Sequence, residues 1–124
     1  MKDYDGAMDL YEQGRSAMQL GDIDVAMDKF RQSIRESPHF KTLELLGECL
    51  LLKDQHCEAI VYLAAAAGLS LKQFRPRFLL AKAHLAVGER EDAINQLKEA
   101  LRLNPNYKSA SELLKELSVK EEGN

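Results

Sequence analysis

Apolar residues recur along the chain at spacings of three and four, and turn residues interrupt them at regular intervals. This is the pattern of amphipathic helices joined by short turns. Leu10, Gln13, Gly14 and Ala17 fall on one face of a first helix that should end at Gly21-Asp22. Ile23, Ala26, Met27, Phe30 and Ile34 form the face of its partner, which should end at Ser37-Pro38. Gly21 can take the left-handed conformation that closes a helix, and Pro38 cannot continue one. A second pair follows: Leu43, Leu46, Gly47 and Leu50, a turn near Asp54-Gln55-His56 without glycine, then Ala59, Ile60, Leu63 and Ala67. A third has Leu80, Ala81 and His84, a turn at Gly88-Glu89, then Ala93, Ile94, Leu97, Leu101 and Asn104-Pro105. Pro76 suits the start of its first helix, and a proline pushes the residue before it out of helical geometry, so that helix is predicted to begin at Pro76 rather than Arg75.

The three pairs are in register. Ala26, Ala59 and Ala93 share a column, as do Met27, Ile60 and Ile94, and Ser33, Ala66 and Ala100; the steps are 33 and 34 residues. A period of this length with two helical patterns per unit marks helical hairpins stacked side by side. Gly14, Gly47 and Ala81 are expected to face Ala26, Ala59 and Ala93, because small side chains set a short distance between helices. After Pro105 the segment from Tyr107 to about Glu121 carries Ala110, Leu113, Leu114 and Leu117 on one stripe, as a terminal capping helix should. The predicted architecture is all-α, a solenoid in one domain, with repeats at 7–39, 40–73 and 74–107 and a capping helix at 108–121.

Composition narrows the function. The chain has 124 residues, 45% hydrophobic and 30% charged, with a formal net charge of -3. That length supports a core without staples, and the charge gives no basic footprint for a nucleic acid. Leu50 to Leu52 and Ala64 to Ala67 are the longest apolar runs, far too short to cross a membrane. The opening Met1-Lys2-Asp3-Tyr4-Asp5 turns acidic at once, unlike a secretory signal. A cytoplasmic protein is expected.

Candidate chemistry is sparse. Cys49 and Cys57 lack the CxxC spacing of zinc or redox sites and read as a reduced, partly buried pair. His56 beside Cys57, with Asp54 near, does not make a metal site: adjacent helical residues point about 100° apart, and structural zinc needs four converging ligands. His84 reads as a core or boundary histidine, and His39 follows Pro38 in a linker. No phosphate loop or activated nucleophile can be placed. Neither an enzyme nor a cofactor is expected.

The registered columns resemble the tetratricopeptide repeat (TPR) family. The matching residues are Gly14, Gly21, Ala26, Phe30, Ser33 and Pro38, then Leu43, Leu46, Gly47, Leu50, Ala59, Leu63 and Ala66, then Ala81, Gly88, Ala93, Leu97, Ala100 and Pro105. Departures are Gln13 and Arg77 at apolar columns, His84 at an aromatic or leucine column, and the missing turn glycine and terminal proline of the second unit, where Leu71 stands. The resemblance implies a right-handed superhelix whose first helices line a concave groove that binds a peptide or partner helix, without catalysis.

Helical spacing selects the side chains for that groove: Met8, Tyr11, Glu12, Arg15 and Gln19 in the first unit; Lys41, Glu44, Leu45, Glu48 and Leu52 in the second; Arg75, Phe78, Leu79, Lys82 and Ala86 in the third. Tyr11, Leu45, Leu52, Phe78 and Leu79 are the apolar anchors, while Arg15, Glu48 and Lys82 form a column of alternating sign. An apolar floor with a few charges suits an amphipathic segment of another protein. The same leucines could instead complete packing between helices, and the charges could be ion pairs of little energetic value. Family members that hold a C-terminal carboxylate use lysine, asparagine and arginine at columns occupied here by Tyr11, Arg15, Leu45, Arg75 and Leu79. Only Arg75 keeps the expected charge, so a carboxylate clamp is not expected. The sequence therefore reads as an adaptor that binds a protein segment, with homo-oligomerisation, a structural subunit or a chaperone-like holder as alternatives.

Overall fold

A computed structural model describes residues 4–122, and among them it has seven α-helices and no strand. These are α1 (Tyr4–Gln19), α2 (Ile23–Glu36), α3 (Phe40–Leu52), α4 (His56–Leu69), α5 (Arg75–Ala86), α6 (Arg90–Leu103) and α7 (Lys108–Glu122). Contacts run α1 to α2, α3 to α4 and α5 to α6 within hairpins, and α2 to α3 and α4 to α5 between them. The result is a helical solenoid.

The three hairpin turns share one hydrogen-bond pattern. In the first, Gly21 N–H donates to the Met18 carbonyl at 3.0 Å and Asp22 N–H to the Ala17 carbonyl at 2.9 Å. Asp54 and Gln55 repeat these bonds at 3.1 and 2.8 Å, and so do Gly88 and Glu89. This double closure needs a left-handed residue; Gly21 and Gly88 supply it at φ of 81° and 83°, and Asp54 at 59°. Aspartate is among the few side chains that tolerate the region, so the second turn keeps its geometry without glycine. His39, expected in a linker, is the N-cap of α3: its Nδ1 accepts from Lys41 N–H at 3.1 Å. Asp22 caps α2 through Val25 N–H.

Two sequence expectations need correction. Helix α5 begins at Arg75, with Phe74 as N-cap in helical geometry and Pro76 in the first turn, where its missing amide proton would be unpaired anyway. The small-residue columns of the first two hairpins also have a different partner. A Cβ on Gly14 would lie 2.5 Å from the Phe30 ring, and one on Gly47 2.5 Å from Leu63. The close approach is therefore made against the largest fully buried side chain of the second helix, one turn beyond the Ala26 and Ala59 column.

The core divides along the chain. Phe30, Leu46, Leu50 and Leu63 centre one cluster, and Ala81, Ala93, Leu97, Ala110 and Leu117 another. Helix α7 closes the second: Ala110 and Leu117 are buried, Leu113 and Leu114 pack beside them, and the Arg90 guanidinium donates to the Leu117 carbonyl. Gln13, assigned to the inner face of α1 by its spacing, is exposed.

Candidate functional site

The first helices of the hairpins, α1, α3 and α5, carry the predicted groove residues, and two seams separate them. In the α3–α5 seam, Glu44 has a side chain only 2% exposed and is bound by two cations, Lys41 Nζ at 2.7 Å and Arg75 Nη1 at 2.6 Å. The second arm of Arg75 donates to both oxygens of Glu48, at 2.7 and 3.0 Å. Burial alone would lower the Arg75 pKa, but the hydrogen bonds and charges of Glu48 and Glu44 outweigh it and raise it above the usual arginine value. A buried carboxylate is tolerated because it is paired and hydrogen-bonded.

An aromatic group continues this seam. Tyr107, just before α7, meets Phe74 at 4.8 Å and Phe78 at 5.3 Å between centroids, both edge-on. Burial raises the Tyr107 pKa; Arg75 opposes the rise, and Glu44 and Glu48 add to it. The phenol therefore lies within electrostatic reach of the ionic cluster.

The α1–α3 seam has neither device. Against Arg75 and its two carboxylates, the corresponding positions are Lys41, Tyr11 and Arg15. Among the described residues, Lys41 pairs with Glu44 on its own helix and with no acid across the seam. What remains is a cleft of about 250 Å³ whose lining includes Tyr4, Ala7, Met8, Tyr11, Pro38 and Phe40. Its floor is fixed by Ser33, whose hydroxyl donates to the Ala7 carbonyl at 2.7 Å.

The ten predicted residues separate accordingly. Leu45 and Leu79 are buried in the core cluster, so their place as reachable anchors is corrected: they fill the space between neighbouring helices. Tyr11 and Phe78 are half-buried, and Leu52 is 60% exposed. Arg15 stands over Tyr11 at 5.8 Å and Lys82 over Phe78 at 5.7 Å, each one helical turn past its ring. Arg15 also lies 3.8 Å from Glu12 in an exposed pair of small energetic value. Glu44, Glu48 and Arg75 bind one another. Sequence reasoning missed Phe40, Pro38 and Tyr4 on the cleft wall; their signal was adjacency to Met8 and Lys41 across the turn before α3.

Elsewhere, Cys49 is buried and Cys57 exposed, both free. Burial and the Glu48 charge push the Cys49 thiol up to about 11, which suppresses thiolate chemistry. At the α5–α6 turn, His84 Nδ1 lies 2.9 Å from Glu89, and Asp92 joins them with potential ligand atoms within 4.8 Å of one another. No helix among the described residues is long and apolar enough to cross a membrane.

This architecture recurs in solved structures. The first TPR of Spaghetti (RPAP3), bound to the HSP90 peptide SRMEEVD, is 20% identical with a TM-score of 0.92, covering 96% of this chain and 95% of that one. The Yersinia enterocolitica type III secretion chaperone SycD, in complex with a peptide of the translocator YopD, is 23% identical with a TM-score of 0.90, covering 96% and 97%. MamA from Desulfovibrio magneticus RS-1 is 25% identical with a TM-score of 0.87, covering 94% of this chain and 66% of that one. No curated protein sequence matches the chain. Two tetratricopeptide repeat family models match it, one over residues 11–70 and one over residues 75–107. With the periodic columns, the three repeated turns and the paired helices, they make this chain a member of the tetratricopeptide repeat family, whose domains are protein-interaction modules.

Proposed function

We propose that the groove face holds a segment of another protein, with an apolar side chain in the α1–α3 cleft and acidic residues toward Arg15 and Lys82. The observation that carries this reading is the cleft itself: about 250 Å³ with largely apolar walls, bordered by the half-exposed Met8. A hydrocarbon cavity of about 150 Å³ already admits a benzene-sized group, so one large side chain fits. Lys41 and Arg75 are neutralised by Glu44 and Glu48, whereas Arg15, with only the weak exposed pair to Glu12, and Lys82 stand exposed over aromatic rings. The groove face therefore has a local positive excess on a chain of net charge -3. Peptides bound by structurally similar TPR proteins support the same general mode.

Within this reading Tyr11, Phe78 and Leu52 touch the partner, Arg15 and Lys82 select it, and Glu44, Glu48 and Arg75 hold α3 and α5 rigid beneath it. Leu45 and Leu79 act from below, by fixing the helix spacing. The role is non-catalytic, and the two free thiols suit a reducing compartment such as the cytoplasm.

Selection from a displayed peptide library tests the proposal. Enriched sequences should pair a leucine or aromatic residue with nearby aspartate or glutamate. The selected peptide should lose roughly tenfold in affinity, about 1.4 kcal/mol, on Met8→Asp. Peptides that bind wild type and Met8→Asp equally would remove the cleft from the account.

A further inference from the structure

Helix α4 lacks the polar outer face of its counterparts. In register, Asp28, Arg31, Gln32 and Arg35 of α2, and Asn95, Lys98, Glu99 and Arg102 of α6, give way to Val61, Ala64, Ala65 and Gly68, all exposed. Val61 is 64% exposed, Leu69 59%, and Leu71 in the following turn 67%. From Ala59 to Leu71 there is no charged residue. A helix apolar on every side normally has both sides covered, and a contiguous exposed apolar patch marks an interaction surface.

Gly68 adds a second observation. Within a helix, glycine is destabilising relative to alanine. Gly14 and Gly47 are kept by the side chains they meet, and Gly21 and Gly88 by positive φ, but a Cβ on Gly68 would meet nothing within 4 Å. No contact within the chain calls for glycine there. A bare backbone at an exposed position allows another helix to approach closely.

We propose that the α4 face is where two copies of this chain meet, with their α4 helices antiparallel about a two-fold axis. Charge selects the second copy and its direction. On the outward stripe of helix α2, Asp24 is paired with Lys53 and Arg31 with Glu58 within the chain, which leaves Asp28 in the first half and Arg35 in the second to face a partner. Helix α6 likewise runs from Glu91 and Asp92 to Lys98, with Arg102 paired to Glu99 within the helix. Antiparallel pairing lays α2 on α2 and α6 on α6 in opposite directions, so acidic halves meet basic halves on both flanks of the uncharged strip. Parallel pairing would lay α2 on α6 in the same direction, acid against acid. A C2 interface must be complementary to itself, and this face is.

The exposed strip is on the order of a few hundred Å², smaller than the ~800 Å² per partner of a standard interface. The dimer is accordingly concentration-dependent. Sedimentation velocity of the full chain, from micromolar to near-millimolar, should show the mass rising from 14.0 kDa toward twice that value. Val61→Arg combined with Gly68→Arg, which sets like charges against each other across the two-fold axis, should keep the chain at 14.0 kDa with unchanged helicity. Asp28→Arg should weaken the dimer, and adding Arg35→Asp should restore it. Independently of any variant, alkylation of Cys57, exposed at the start of α4, should slow as concentration rises. A wild-type chain that remains monomeric, with Cys57 equally reactive throughout, overturns the proposal. So does monomeric behaviour combined with capture of an apolar helix of another protein by the α4 face, which would assign the surface to that protein. The groove reading is untouched by either result, because Met8 and the cleft lie on α1 and α3.

Discussion

The two seams of the groove face occupy equivalent places in the repeat and have opposite chemistry. Between α3 and α5, an arginine reaches across to two carboxylates, and Tyr107 packs on Phe74 and Phe78. Between α1 and α3, the corresponding residues are Lys41, Tyr11 and Arg15, none of them forms an ion pair across the seam among the described residues, and an apolar cleft opens. Three columns thus distinguish the two seams within one repeated framework. Structural self-sufficiency of the α3–α5 seam is what leaves the α1–α3 seam as the candidate receptor.

Deleting everything after Asn106 should have the largest effect, because it strips the closed seam of Tyr107 and the second core cluster of Ala110 and Leu117. Burying a leucine such as Leu117 is worth ~1.5 to 3 kcal/mol, against a total of ~5 to 15 kcal/mol for a domain. The truncated chain is expected to aggregate or lose cooperative unfolding. A soluble truncation that melts like the full chain would show that the closed seam does not depend on its cap.

Arg75→Ala comes next. It leaves Glu44 buried with Lys41 alone and Glu48 without its bidentate partner. Breaking a buried pair costs about 3 to 5 kcal/mol; because the Arg75 side chain is 38% exposed, we expect about 2 kcal/mol after allowance for screening. Met8→Ala, at the same column of the first repeat, should cost less than about 1 kcal/mol. Urea denaturation of both variants measures the contrast, and equal costs would erase the distinction between the seams.

The cysteines give a smaller, pH-dependent contrast. Cys49 is buried under the closed seam with its thiol raised from 9.0 to about 11. Its folded state holds the proton more tightly than the unfolded state, so the associated stability is present below pH 9 and is lost as pH rises toward 11. Over that window the wild type should lose on the order of 1 kcal/mol more than Cys49→Ala. Parallel stability curves for the two would show that the thiol environment is the same in both states.

Much of the fold was legible because its determinants are local. Helix faces follow from spacing, and turn positions follow from residues that permit positive φ. Even Asp54 was readable in hindsight, since it occupies the column of Gly21 and Gly88 and is one of the few residues that tolerate that conformation. The site was less legible because it depends on pairings 27 and 31 residues apart, Arg75 with Glu48 and Glu44. Reading each repeat by itself lists Glu44, Glu48 and Arg75 as free groove charges. Reading one repeat's second column against the previous repeat's fifth and ninth columns would have paired them. Leu45 and Leu79 show the same limit: spacing puts them on the groove flank, while packing between neighbouring first helices closes them in the core.

The smallest expected effect is also the sharpest test of the column rule. If the identity of three residues sets each seam, then Arg15→Glu should begin to convert the open seam into the closed one, by placing a carboxylate where Glu48 stands in the next repeat. Lys41 could then divide its charge between Glu44 and the new acid, as Arg75 does between Glu44 and Glu48. Because Arg15 is exposed and now faces only a 3.8 Å pair with Glu12, the gain should stay within about 0.5 kcal/mol and shrink with added salt. Removing Arg15 also subtracts one of the two cations proposed to select an acidic partner, so affinity for a selected acidic peptide should fall while stability holds or rises. A variant that loses stability and keeps its affinity would show that the ninth column sets neither the seam nor the ligand.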